Sequence, residues 1–558
     1  MTIKRILRMG TAVSKFKELI VKVSPRQYFI LAALFAFAVF FIGLGSRHIG
    51  GGDEPRVAGI AAEIYLFNDW VEPQLNNKPF LEKPPLYFWA DALSMKIFGR
   101  NDFAAKFPSA VAAFLGVLSL FSLARGLKMS AFGAFLSVIF LSTAAQYWNY
   151  GRKCMIDIFV AVFVAFAMWA FWELCNSDKA KKTALWFIFF VIALGGGIFS
   201  KGLVGLALPC SALFFFLAID DFYIEKKFNL KRWILLFAGA ALSFIPVALW
   251  VWALYEKSGF EAVKTVVWTN NFGRFFGLHP DHNEPFYYYF PKLFEQLQPW
   301  TVLLPFAIWF NIRKLLKEKD NKALFMLCWL IIPYTLLMVS SGKRQVYVLP
   351  LYAGEVLLIA NMLDHIYRDK FKLPEKWDYV NLATSLLGIL FTVGLCGGAI
   401  AFLIIGIVTK IELTAYIYPV VMLACGIAAI LGMRKKDMAK VCLGFVIGLG
   451  ATYVSIDTVA RPMKNHRKSY HAIFDYCKQQ IKDGRKLYLY KPIERENGAA
   501  LFYLGVNCPR FNFKETKVDS SVIILLNQRD SEEFLNAGFK VIEKFKTQGR
   551  KYWIMAHE

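Results

Sequence analysis

Apolar runs of roughly 17–25 residues, the length a helix needs to cross a hydrocarbon core of about 30 Å, recur along most of the chain. Thirteen can be drawn, near 27–45, 104–124, 130–148, 155–174, 183–199, 203–220, 232–255, 299–314, 322–339, 346–364, 379–408, 414–433 and 439–456. They predict an α-helical polytopic membrane domain over residues 1–456. After about residue 456 the pattern changes within a few positions to RPMKNHRKSYH. Beyond it, KSYHAIFDYCKQQIKD has apolar residues at helical spacing, while LYLY (487–490), VIILLN (522–527) and YWIM (552–555) are short β-type runs. A small C-terminal α/β domain over 457–558 is expected. There is no repeat of 20–50 residues and no low-complexity linker, which argues against a solenoid or a tethered multidomain receptor.

Charge fixes an orientation. Seven basic residues between Lys4 and Arg26, against the single acid Glu18, precede the first run and assign the N-terminus to the cytoplasm. No signal peptide is apparent, so the first run reads as a retained span. With thirteen crossings, the basic stretches at 179–182, 225–232, 313–319 and 433–436 all fall on the cytoplasmic side. The loops 46–103, 256–298 and 340–345 and the tail from about 457 then lie outside. Composition agrees with this picture, at 57% hydrophobic and 19% charged over 558 residues. The net charge of +24 would suggest nucleic acid, but much of it sits in cytoplasmic loops where topology explains it, so nucleic-acid binding is not expected. Seven of nine cysteines lie in or beside apolar segments without metal-ligand spacing; Cys477 and Cys508 are in the tail, and whether they pair is left open.

Ionisable groups at membrane depth are costly, so charges that topology does not explain carry information. In GGDEPRVAGIAAEIY the glycines permit a tight turn, Pro55 suits a first helical turn, and Asp53 and Glu54 suit the positive end of that helix; a capped interfacial helix is the plain alternative to a site. In NKPFLEKPPLYFW, Pro84 and Pro85 fix the direction of Glu82 and Lys83, and Tyr87, Phe88 and Trp89 anchor the next segment at the interface. Asp157 opens the fourth span in YGRKCMIDIF, four residues from Lys153, so an ordinary ion pair competes with a functional role. Lys201, in FSKGLVG, occupies a connection of a few residues, where snorkelling is the alternative. The loop 256–298 supplies Asn271, Arg274 and the pair His279 and His282; Pro280 between the histidines argues against a helical metal-binding face. The last outer loop, SSGKRQVYVLP, brings Lys343, Arg344 and Tyr347 to the same side. One cavity at the outer membrane edge is the economical explanation. Its lysines and arginines suit phosphate oxygens, and its carboxylates suit a nucleophile or a cation.

These stretches resemble a known family. GGDEPRVAGIAAEI, NDWVEPQLNNKPFLEKPPLYFWADALSMKIFGRNDFAAKFPSA, RKCMIDIF, SKGLVGL, NNFGRFFG, PFYYYFPKLFEQLQPW and SGKRQVYVLPLY are similar to the lipid A aminoarabinose transferases, GT-C glycosyltransferases related to protein O-mannosyltransferases. The resemblance covers the membrane domain to about residue 355. It implies an inner-membrane enzyme that moves a sugar, 4-amino-4-deoxy-L-arabinose or a relative, from a polyprenyl (undecaprenyl) phosphate carrier to lipid A or another exported acceptor, with inversion. By the same resemblance Asp53, with Glu54 and Asp157, is catalytic; Lys83, Arg274 and Tyr347 hold the carrier phosphate; and Arg56, Glu82, Lys201 and Asn271 support the cavity. Val57 stands where the family pattern has an aromatic, and Phe80 where Tyr is common. A protein O-glycosyltransferase is the alternative of the same class. A flippase of lipid-linked sugars would spread its charges through both membrane halves, whereas these gather on one side. No cofactor is assigned, and the metal is left open. A divalent cation near Glu82 is compatible with the chemistry, but the chain offers no convincing ligand set.

Overall fold

The computed structural model describes residues 23–273, 284–340, 342–368, 379–435 and 438–557. Among the described residues ten helices are long and apolar enough to cross a membrane, and eleven if the bent pair Ala131–Ser142 and Ala145–Gly151, which meet at 69°, counts as one span. Two of the thirteen apolar segments fall short of that length. The segment near 27–45 forms Pro25–Phe41, a 17-residue helix, because Gly43 and Gly45 end it early; the segment near 299–314 forms Leu304–Glu318, which begins after a 3-10 turn and ends in a basic stripe. The run near 232–255 is longer than expected and extends to Asn270, with a break at Gly259 where φ is 76°.

Connections alternate in length. On one face, here the long-loop face, Glu54–Phe67 and Leu86–Phe98 form a helical layer between the first helix and Asp102–Gly126. Asp157–Cys175 descends from this face and Ala180–Lys201 returns to it, packed closely along its length. The segment 345–351 is a 3-10 turn that leads into Tyr352–Tyr367 and packs on Asp157–Cys175. Several sequence positions far apart therefore end at one level.

The C-terminal unit is a four-stranded sheet. β1 (Lys486–Leu489) pairs in parallel with β2 (Val522–Asn527), β4 (Arg550–His557) runs antiparallel to β2, and β3 (Phe539–Thr547) lies outermost in the order β1-β2-β4-β3. The three apolar runs seen in the sequence are β1, β2 and β4. β3 was not anticipated because FKVIEKFKT alternates with lysines, as an edge strand does. The anticipated helix is His471–Lys482; a second, Glu494–Leu504, has a weaker apolar pattern.

That second helix joins the two parts of the chain. It packs against Glu54–Phe67 with Gly498 on the turn 55–59, so closely that a Cβ on Gly59 would collide with the Gly498 backbone and one on Gly498 with the backbone of Pro55 and Arg56. The loop 46–50 is gripped from the same side. Asn465 Oδ1 accepts from His48 N (3.1 Å), Ser469 Oγ and Tyr503 OH donate to Ile49 O (2.9 and 2.8 Å), and the Gln548 side chain donates to Gly50 O. Substituting Gly59→Val or Gly498→Val should force the two helices apart at an overpacking cost of about 1–3 kcal/mol. We expect a melting midpoint in detergent several degrees lower, and faster proteolytic release of the C-terminal unit; an unchanged midpoint in both variants would contradict the close crossing.

Candidate active site

Gly52, at φ 64°, turns the chain so that Asp53 occupies the N-cap position of Glu54–Phe67. The capping alternative fails on the side chain, which makes no capping hydrogen bond. Instead the Asp53 carboxylate meets two guanidinium groups, Arg56 at 3.4 Å and Arg344 at 3.5 Å. Arg56 is itself held between elements. It donates to Glu494 of the C-terminal unit at 2.7 Å, lies 5.5 Å from the Phe80 ring centroid and feels the charge of Glu82. Burial works against its charge, but the surrounding acids, Asp53 first, raise its pKa above the ordinary value.

Beside this group stands a second one. Lys201, the last residue of its helix, is ion-paired with Asp157, the first of the adjacent helix, and its ammonium lies 4.3 Å from the Tyr347 ring centroid. Lys201 is thus neither snorkelling nor solitary. Asp157 does not take Lys153 as its partner, as the four-residue spacing had suggested; Lys153 sits over the Tyr150 ring at 5.6 Å. Tyr150 feels Asp157, Arg344 and Asp53 together, which ties the two groups into one cluster. A half-buried Asp53, a cation pair around it, and a Lys–Asp–Tyr set beside it make a polar pocket able to bind a phosphate and present a carboxylate.

The loop holding Glu82 and Lys83 is half-buried next to this cluster, and Asn270 Nδ2 donates to Leu81 O at 3.0 Å, fastening the long helix to it. Arg274, His279 and His282 lie outside the described residues, as does the side chain of Asn271. Among the described residues no group of three or more His, Cys, Asp or Glu is arranged to hold a metal ion. Cys477 and Cys508 are both buried and unbonded.

Glu54 faces away from the pocket. It is fully buried and receives two hydrogen bonds from Arg47, at 2.6 and 2.7 Å, and one from Cys154 N at 3.1 Å. Arg47 also donates to Arg152 O at 3.1 Å. Arg152 is fully buried; it pairs with Asp457 and donates to Val39 O and Ile42 O at 2.6 and 2.7 Å. Arg461 completes the network, reaching Asp457 and Asn149 at 2.7 Å each. This network, Arg344's grip on Asp53, Tyr150 and Glu494 were not assigned from the sequence. Their partners are separated by up to several hundred residues, and only the presence of an arginine or acid in an apolar setting hinted at them.

Comparisons with known proteins agree with this geometry. Residues 82–252 match the family model for dolichyl-phosphate-mannose-protein mannosyltransferases. The chain is 28% identical over 365 residues to the undecaprenyl phosphate-alpha-4-amino-4-deoxy-L-arabinose arabinosyl transferase of Edwardsiella ictaluri, covering 65% of this chain and 64% of that protein. It is 29% identical over 357 residues to a similarly named transferase 2 of Proteus mirabilis, covering 63% and 62%. The match thus spans a little under two thirds of these relatives' length. The crystal structure of ArnT from Cupriavidus metallidurans bound to undecaprenyl phosphate superimposes with a TM-score of 0.71 at 18% identity, over 94% of this chain and 97% of that one. The fold is therefore of the GT-C type with a small C-terminal α/β unit, and the resemblance read from the long-loop motifs holds.

The buried Arg47–Glu54 pair has a pH signature. Burial alone would raise the Glu54 carboxyl, but Arg47 overrides it and draws it down from about 4.5 to about 2. Because the folded value is depressed, the stabilisation is complete above the unfolded value and is lost as pH falls from there toward 2. The melting midpoint of the wild type minus that of Glu54→Gln should be constant from pH 8 to 5 and shrink below about 4.5. At neutral pH the gap should correspond to about 3–5 kcal/mol, the cost of breaking a buried pair. A gap that changes between pH 6 and 8 would refute the depressed carboxyl.

Proposed function

We propose that the protein is a glycosyltransferase that takes a sugar from a polyprenyl phosphate carrier and attaches it to an exported lipid acceptor at the long-loop face, most simply an aminoarabinose-type sugar onto lipid A. The observation that carries this reading is the convergence of Asp53, Arg56, Arg344, Asp157, Lys201 and Tyr347 on one membrane edge, in a fold shared with a protein crystallised with undecaprenyl phosphate. The relatives' names give the sugar and the carrier. In this reading the basic short loops are cytoplasmic and the 457–558 unit is periplasmic, in a bacterial inner membrane.

The chemistry follows from charge. Breaking the bond between the anomeric carbon and the phosphate oxygen leaves a carrier phosphate of growing negative charge. Fixed cations at its oxygens favour that state over the ground state. Lys83, Tyr347 and Arg274 take the carrier side, with Lys201 aimed by Asp157 and Arg344 close by. Asp53 faces the acceptor. It accepts the proton of a hydroxyl acceptor, or orients and balances charge if the acceptor oxygen already belongs to a phosphate. One attack at the anomeric carbon inverts it. Glu54, locked to Arg47, acts through the position of its neighbour Asp53 rather than at the substrate. Glu494 acts likewise through Arg56.

In protein that inserts and is expressed normally, Asp53→Asn and Lys83→Ala should each lower sugar transfer by about 100-fold or more. Purified protein in detergent with a polyprenyl phosphate sugar, assayed against lipid A and against exported polypeptide, reads the loss and the acceptor together. Full transfer by both variants would end this site assignment, and transfer to polypeptide alone would replace the acceptor.

A further inference from the structure

The turn between β3 and β4 is fastened to the stretch that leads into the Asp53 loop. Gln548 N donates to Arg467 O at 2.8 Å, its side chain reaches Gly50 O and Lys468 O, and Thr547 Oγ1 donates to Ser469 O at 2.8 Å. Gly50 lies three residues before Asp53. The tip of the C-terminal sheet is therefore a wall beside the candidate active site.

That wall is strongly basic. Arg467, Lys468, Lys546, Arg550 and Lys551 are all exposed around the turn. Among the described residues the only ion pair in this set is Arg550 with Glu496, at 3.9 Å. The register makes the arrangement costly: Lys546 stands directly across from Lys551, and Arg550 follows opposite Thr547. Like charges in directly opposed positions destabilise a strand pair, so folding alone gives no reason for a lysine at both places. The positive strip also continues inward. Lys468 and Lys153 are close enough to repel one another, and Lys153 lies over Tyr150 inside the cluster.

We propose that the β3–β4 turn with Arg467 and Lys468 is a docking surface for the phosphate groups of an anionic lipid, the acceptor, which it holds at the edge of the Asp53 pocket. The inference rests on the transferase reading and gives the C-terminal unit a substrate role. An acceptor that carries more than one phosphate can leave one on this strip while the reacting group reaches Asp53. Lysines spread along a strand and turn suit such a ligand, since each contributes a point charge without demanding one fixed geometry.

The test uses the full-length chain with the double variant Lys546→Ala/Lys551→Ala. Removing the opposed pair relieves repulsion, so the melting midpoint should be unchanged or higher, and loss of binding cannot be put down to misfolding. With diphosphorylated lipid A as acceptor, KM for the acceptor should rise about 10-fold at low salt, while kcat and KM for the donor stay the same. The difference should fade at high ionic strength, where such charges are screened over about 3 Å at 1 M. Direct binding to lipid A and to phosphatidylglycerol in neutral phosphatidylcholine vesicles separates the sources of phosphate. Weakened binding of lipid A alone supports an acceptor site, and equal weakening for both lipids supports phosphate docking by any anionic lipid at this face. Unchanged binding of both lipids together with an unchanged acceptor KM overturns the proposal. If the wild type transfers no sugar yet the variant still loses lipid binding, the transferase reading falls and the docking surface stands.

Discussion

Two hydrogen bonds from a half-buried Arg47 to the fully buried carboxylate of Glu54 set the position of the groups around the pocket. A guanidinium and a carboxylate out of water are tolerable only when each is satisfied, and here the demand is passed along. Arg47 also takes Arg152 O, Arg152 takes Asp457 and two carbonyls of the first helix, and Asp457 takes Arg461. The network joins the start of the long loop, the bend before Asp157 and the end of the last span. Asp53 sits one residue from Glu54's fixed position, and Asp157 lies five beyond Arg152. The acids that face the pocket are thus aimed by neighbours that do not.

The C-terminal unit takes part in the same arrangement. Its Glu494 holds Arg56, its glycine crossing presses on the helix that Asp53 begins, and its turn fixes the carbonyl of Gly50. It carries none of the pocket's direct contacts to Asp53, yet it supports three sides of the loop that does.

The fold was largely legible because the signal that specifies it, the length and spacing of apolar runs, is local. Asp53, Arg56, Asp157, Lys201 and Tyr347 were legible for a related reason: a charge or phenol next to a membrane segment stands out, and topology alone put these on one side. Partnership was not legible. Asp157 had Lys153 four residues away and took Lys201 instead; Glu54 looked like Asp53's equal and is buried with its back to the pocket. Arg152 and Asp457 are 305 positions apart, and nothing in either neighbourhood names the other. Edge strand β3 was hidden by its lysines, the last of which, Lys546, belongs to the basic turn.

The crossing of Gly59 on Gly498 also bears on the order in which the molecule is made. Most of the chain separates the two glycines, and every membrane span after the first lies between them. Arg56 cannot meet Glu494, nor Glu54's network close on Asp457, until the last apolar helix and the tail have been made. A chain still emerging from the ribosome therefore holds Asp53 on an unfastened loop. Closure of this cluster waits on the last part of the chain, so a truncated or stalled product carries Asp53 without the Arg56–Glu494 contact beside it.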